Sequence, residues 1–102
     1  MIVEQEILYQ EEQGYVGLYY DRLVGWVMTV QLHQWSLGEF KRYLRIWGGI
    51  LNGLRARGIT EVFGYCVDEE KVKFTEVFGF QPMTYRMDFG NGITKQVMRL
   101  KL

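Results

Sequence analysis

The sequence predicts an α/β (α+β) domain. Its mixed sheet is built from an N-terminal antiparallel meander, a β-α-β crossover, a second short helix and a C-terminal β-hairpin. Three observations predict it. Residues 2–35 are rich in Ile, Leu, Val, Tyr and Trp and are broken by turn-forming pairs. Residues 37–57 carry apolar side chains at spacings of three and four. Gly90-Asn91-Gly92 lies between two strand-like runs, a strong tight-turn signal. At 102 residues the chain is expected to form one domain, 1–102. It is 48% apolar and 16% aromatic, enough to build a core.

The elements follow in order. Glu6 to Gln10, Tyr15 to Tyr20 and Leu23 to Leu32 are expected as three strands, joined by Glu11-Glu12-Gln13-Gly14 and Asp21-Arg22. Ser36-Leu37-Gly38-Glu39 fits a capping box, with a hydroxyl at the N-cap and a carboxylate three residues on. Phe40, Tyr43, Leu44, Trp47, Ile50, Leu51 and Leu54 then form the stripe of a long helix, and Gly58 stops it. Glycines inside a helix cost up to about 1 kcal/mol each relative to alanine. Gly48, Gly49 and Gly53 therefore predict close packing against a neighbouring backbone, with close approach of a ligand as the alternative. Ile59 to Val67 reads as a strand. Asp68 caps a short helix ending at Gly79, with Glu69 and Glu70 in the first turn where the dipole favours them. Thr84 to Phe89 and Ile93 to Leu102 form the hairpin. The strands flanking the long helix should be parallel, with a right-handed crossover.

Charge and cysteine content exclude several classes. Twelve Lys+Arg balance twelve Asp+Glu, which argues against a strongly basic nucleic-acid binder. One cysteine and one histidine exclude an internal disulfide and a Cys/His zinc cluster. No apolar run approaches the ~20 residues that span a bilayer. Met1 to Glu6 is acidic and unlike a signal peptide, so a soluble cytoplasmic protein is expected. The charge is nevertheless uneven. Residues 1–36 are net −4, residues 37–60 are net +4, and residues 61–102 balance. The basic helix could face solvent, hold an anion or nucleic acid, or pair with an acidic neighbour.

Three side chains could carry chemistry. His33 has the intrinsic pKa of a general base, and otherwise reads as a structural or surface histidine. Cys66 could be a nucleophile if its pKa were lowered, and otherwise reads as a buried thiol. Tyr65 could donate a proton, although alternation with Phe63 and Val67 makes it half-buried packing. The aromatics Tyr9, Tyr15, Tyr19, Tyr20, Trp26, Trp35 and Trp47 concentrate in the first half, and in the meander they are interleaved with acids rather than bases. They predict core and protein–protein contact rather than stacking on nucleic acid.

The element order, together with Phe74-Thr75-Glu76-Val77-Phe78-Gly79-Phe80, resembles the GCN5-related N-acetyltransferases (the GNAT superfamily). Leu54 to Val62 is similar to their "helix, Arg-Gly-Ile, strand" junction, and Tyr15-Val16-Gly17-Leu18-Tyr19 to their "Val-Gly" strand. The resemblance covers roughly residues 6–89. It implies a phosphate-binding loop at the start of the long helix, since free N–H groups there hold anions. Here that loop reads His33-Gln34-Trp35-Ser36-Leu37-Gly38-Glu39, with one glycine and an added carboxylate. Ser36, Leu37 and Gly38 are its cofactor-binding candidates. Asp68 stands where the family commonly has asparagine, and Thr75 where it commonly has a tyrosine general acid. The fourth-strand carboxylate of the family has no counterpart in Val24 to Leu32. The length also leaves little room for the family's first two helices.

The resemblance so implies a compact, catalytically depleted GNAT-like domain with no cofactor, acting as a structural or interaction protein. Self-association or a protein partner would use the aromatic meander. Shortened chains of this kind occur among bacteriophage proteins, some virion-associated, which would place it in the host cytoplasm or virion. The alternative is an active N-acyltransferase binding acetyl-CoA through an atypical loop. A nucleic-acid accessory role for the basic helix ranks third.

Overall fold

A computed structural model describes residues 5–12, 14–32 and 37–102. The meander is present as β1 (Glu6–Glu11), β2 (Gly14–Asp21) and β3 (Gly25–Leu32), paired antiparallel in sequence order. The β2–β3 turn is held by Asp21, whose Oδ1 accepts the Leu23 N–H at 2.7 Å. The third strand starts at Gly25 rather than Leu23, because Gly25 takes a φ of +112° to leave the turn.

Helix α1 (Leu37–Ala56) follows, then β4 (Glu61–Cys66), α2 (Glu69–Val77), β5 (Gln81–Gly90) and β6 (Ile93–Lys101). Ser36 of the expected capping box lies outside the described residues. The α1 stripe is shifted slightly from expectation. Tyr43, Trp47 and Leu54 are buried, Ile46 and Ile50 pack beside them, and Leu44 is exposed. The strand after α1 is shorter than the predicted 59–67. Gly58 (φ +83°) reverses the chain, and Ile59 is spent on the core beneath the helix end. Helix α2 is capped by Asp68, which accepts the Lys71 N–H at 2.8 Å. At its other end Gly79 adopts φ +100°, which turns Phe80 back into the core. That is the physical content of the Gly-Phe pair.

The six strands form one sheet, ordered β1-β2-β3-β4-β6-β5. β3 and β4 are parallel, as the crossover through α1 requires, and all other pairs are antiparallel. The hairpin therefore folds back so that β6 sits between β4 and β5. Val97 and Met98 are both fully buried, as a central strand with two covered faces demands. β5 begins earlier than predicted, at Gln81, and carries Pro82 at its start. An edge strand tolerates proline because it has no second ladder to supply.

Both helices contribute to one cluster with Val16, Leu18, Met28, Val62, Cys66, Phe80 and Met98. The opposite face carries a smaller cluster of strand residues, Val27, Phe63 and Val97, flanked by Tyr19, Tyr65, Met83 and Met87. Packing of Gly48, Gly49 and Gly53 against another backbone is not found. A Cβ added at any of the three would meet nothing within 4 Å. No helix among the described residues is long and apolar enough to cross a membrane.

Candidate functional site

The sheet has one weak seam. β3 and β4 are in register only at Val27 and Phe63. Beyond that pair, toward the C-terminal ends of both strands, the chains part and a cleft of about 510 Å³ opens. Met28 to Gln31 line one wall and Gly64 to Val67 the other. Trp47, Phe74, Phe78 and Phe80 also line it, and α2 adds Glu70, Lys71 and Thr75. A crevice at the C-terminal ends of separating parallel strands is the ordinary place for a ligand in such sheets.

The aromatic lining is tied together by direct contacts. The Trp47 indole N–H donates to the Phe78 carbonyl at 2.9 Å, and its ring meets Phe78 edge-on at 5.3 Å. That contact fixes the distance between α1 and the end of α2.

Of the sequence candidates, the cleft brings together Tyr65, Cys66 and Thr75. The Thr75 hydroxyl donates to the Lys71 carbonyl at 2.7 Å, the common back-bond of a helical threonine. The Cys66 sulfur lies 3.2 Å from the same oxygen, so the thiol is left to donate. Burial pushes the Cys66 pKa up. It is a protonated thiol at neutral pH, without the electropositive setting a thiolate nucleophile needs. Tyr65 is half-buried against Phe89, ring centroids 5.0 Å apart. Its hydroxyl donates to Asp21 Oδ2 across 3.4 Å. Burial first, then the Asp21 charge, raises its pKa. Both effects keep the phenol protonated and make it a weaker acid.

Gly38 and Asp68 are exposed and do not line the cleft, although Asp68 lies between Val67 and Glu70, which do. Asp68 is occupied as a helix cap, and Leu37 only opens α1. His33 and Ser36 lie outside the described residues. Sequence reading did not single out Glu70, Lys71 and Lys95, the charged groups that line the cleft. No spacing marked them, because they come from α2 and β6 and meet only when the sheet closes.

A second polar centre lies at the end of β1. Glu11 accepts two hydrogen bonds from Arg42, at 2.7 and 2.6 Å, one from the Tyr9 hydroxyl at 2.8 Å and one from the Tyr43 hydroxyl. Just past the end of α1, Arg57 forks onto Glu6 at 2.6 and 3.2 Å. The acidic meander and the basic helix are thus partners within one chain, and the uneven charge was the signal for it.

Glu11 also sets a pH dependence. The Arg42 hydrogen bonds first, then those of Tyr43 and Tyr9, hold its pKa down at about 2 against an ordinary 4.5. A lowered folded-state pKa stabilises the fold above the unfolded value and loses that contribution as pH falls toward the folded one. Glu11→Gln is therefore expected to melt below wild type at neutral pH. The two melting curves should converge between pH 4.5 and about 2, read by circular dichroism. A gap that persists unchanged at pH 2 would assign the loss to packing rather than charge.

Comparison with known proteins adds fold but not chemistry. No protein-family model matches the chain, and no curated protein matches it. Among solved structures, it is similar to a protein from Agrobacterium tumefaciens provisionally named as an acetyltransferase. The TM-score is 0.56 at 11% identity, over 99% of this chain and 75% of that one. The chain thus has an acetyltransferase-like, GNAT-like fold: a mixed six-stranded sheet with two helices.

Proposed function

We propose that this chain is a non-catalytic interaction or structural module carried on a GNAT-like scaffold. Thr75 carries the reading. It occupies the position that the resemblance gives to a general acid. An alcohol is far too weak an acid to protonate a leaving thiolate. Its proton is already given to the Lys71 carbonyl and its oxygen to Cys66. Of the other sequence candidates among the described residues, Tyr65 gives its proton to Asp21 and the Cys66 thiol is buried.

A partner protein would meet the tip of the meander, where Tyr20 is 58% and Leu23 80% exposed beside Trp26. Trp35, the other aromatic expected there, lies outside the described residues. Pairing of Arg42 and Arg57 with Glu11 and Glu6 speaks against a nucleic-acid role for α1. The bacteriophage or virion setting belongs to the same proposal and rests on the resemblance alone.

A second reading, an acetyl-CoA-dependent N-acyltransferase, is favoured by the open cleft between β3 and β4. Calorimetry with acetyl-CoA up to millimolar concentration, joined to an assay for release of the free CoA thiol with polyamine and peptide amines, separates the two. The expected result is neither binding nor release. A micromolar Kd corresponds to about 8 kcal/mol, and with thiol release it would replace the first reading by the second.

A further inference from the structure

β5 is an outer strand of the sheet, bonded to β6 along one side only. It is ten residues long, and among the described residues no strand pairs with its other side, which leaves a row of backbone N–H and C=O groups there. Such an edge templates pairing with another strand unless charge or proline prevents it. Pro82 guards the start of β5, and the remainder carries two charges, Arg86 and Asp88.

Arg86 pairs with Gln96 and Asp88 with Thr94, so the two charges share the helix-covered face. Met87 pairs with Lys95 and points to the opposite face, where it packs with Val27, Phe63 and Val97. Arg86 donates to the Thr94 hydroxyl and carbonyl, both at 3.0 Å, and Asp88 accepts the Gly90 N–H at 2.8 Å. Among the described residues neither makes an ion pair. Tyr85 and Phe89 flank them and are 43% and 46% exposed.

We propose that the occupant of this edge is a second copy of the chain, paired antiparallel to β5 about a twofold axis at Met87. Charge chooses the register. The pleat sends alternate residues to opposite faces, so a symmetric pair must be centred on a residue. Centred on Arg86 or on Asp88, the edge sets like charges against each other. Centred on Met87, it sets Arg86 opposite the second copy's Asp88, and by symmetry Asp88 opposite the second copy's Arg86. Tyr85 and Phe89 lie just outside that three-residue stretch, and the same register brings each toward the other on the second copy. Opposite-charge and aromatic cross-strand pairs are the contacts that stabilise antiparallel sheets. Main-chain hydrogen bonds along the edge supply the affinity. Register irregularities between Pro82 and Arg86 and between Asp88 and Gly90 bound the regular ladder. The dimer ladder is accordingly short. Pairing at β5 is independent of whether the cleft binds a cofactor.

Sedimentation velocity on the whole chain, over a micromolar to millimolar series, tests it by charge swapping. Wild type should show a concentration-dependent dimer. Arg86→Asp and Asp88→Arg should each weaken it roughly tenfold or more, since each sets like charges in opposition. Asp88→Arg also removes the Gly90 turn contact, so circular dichroism must confirm that each variant is folded. An equimolar mixture of the two variants should associate again, because the swapped charges are complementary only across the mixed pair. A wild type that stays monomeric across the series overturns the proposal. So does an Arg86→Asp variant that associates like wild type, or a mixture that stays monomeric.

Discussion

Replacing Trp47 with alanine is expected to cost about 3–5 kcal/mol, the usual range for deleting a buried aromatic. Folded domains of this size have roughly 5–15 kcal/mol in total, so the variant should sit near its unfolding threshold at room temperature. The expectation is specific to how this side chain is used. Trp47 is only 6% exposed, and its ring touches Phe78 at 5.3 Å and Phe80 at 6.0 Å. Its N–H satisfies the Phe78 carbonyl, where α2 gives way to Gly79. Alanine removes the volume and the donor together. Trp47→Phe separates them in part, because it keeps a six-membered ring while losing the rest of the indole and the hydrogen bond, the latter worth about 0.5–1.5 kcal/mol. Urea unfolding followed by circular dichroism gives both numbers. A loss below about 1 kcal/mol for Trp47→Ala would mean that the cleft collapses onto the gap and that its lining is softer than the contacts imply.

This side chain also shows what sequence reading can and cannot reach. The helical stripe places Trp47 on the buried side of α1, and Asp68 and Gly79 mark the two ends of α2, because caps and positive-φ turns are local chemistry. Asn91, with φ +54° between Gly90 and Gly92, marks the hairpin in the same way. The insertion of β6 between β4 and β5 is a different matter. It depends on which strand of the hairpin can bury both faces. The adjacent apolar pair Val97-Met98 and the edge-tolerant Pro82 hold that information only once the alternatives are known. The cleft is less legible still. It arises because β3 and β4 stay in register at one pair, and nothing in Val24 to Leu32 or Ile59 to Val67 states where pairing ends. The Glu11 centre falls between these cases. Opposite charge in the meander and in α1 predicted an acidic neighbour as one option, while the choice of Arg42 and Tyr43 as its ligands required the packing of α1 on the sheet.

The glycines of α1 supply the second large effect, of opposite sign. Gly48→Ala, Gly49→Ala and Gly53→Ala combined are expected to stabilise the chain by about 2–3 kcal/mol, taking roughly 0.8–1 kcal/mol per helical glycine. All three lie inside α1, none has a positive φ, and a Cβ at each would enter open space. Among the described residues no steric contact therefore opposes the gain in helix propensity. The unfolded chain also loses freedom at each position, which acts in the same direction. For a domain near 100 residues, about 4–8 °C per kcal/mol converts this to a rise in Tm of roughly 10–20 °C. A rise of less than about 3 °C in thermal melts would be the failing result, since it would require contacts at these glycines that the folded chain does not make. The sequence argument predicted packing because a mid-helix glycine usually gives up helix stability for closeness to something. Here the closeness within the chain is missing and the loss remains. Gly49 and Gly53, four residues apart, border a 390 Å³ hollow between α1 and β1, edged by Leu8, Tyr9 and Ile50. A helix that gives up this much stability along an open face is a weak point of the fold, and the alanine series measures how weak.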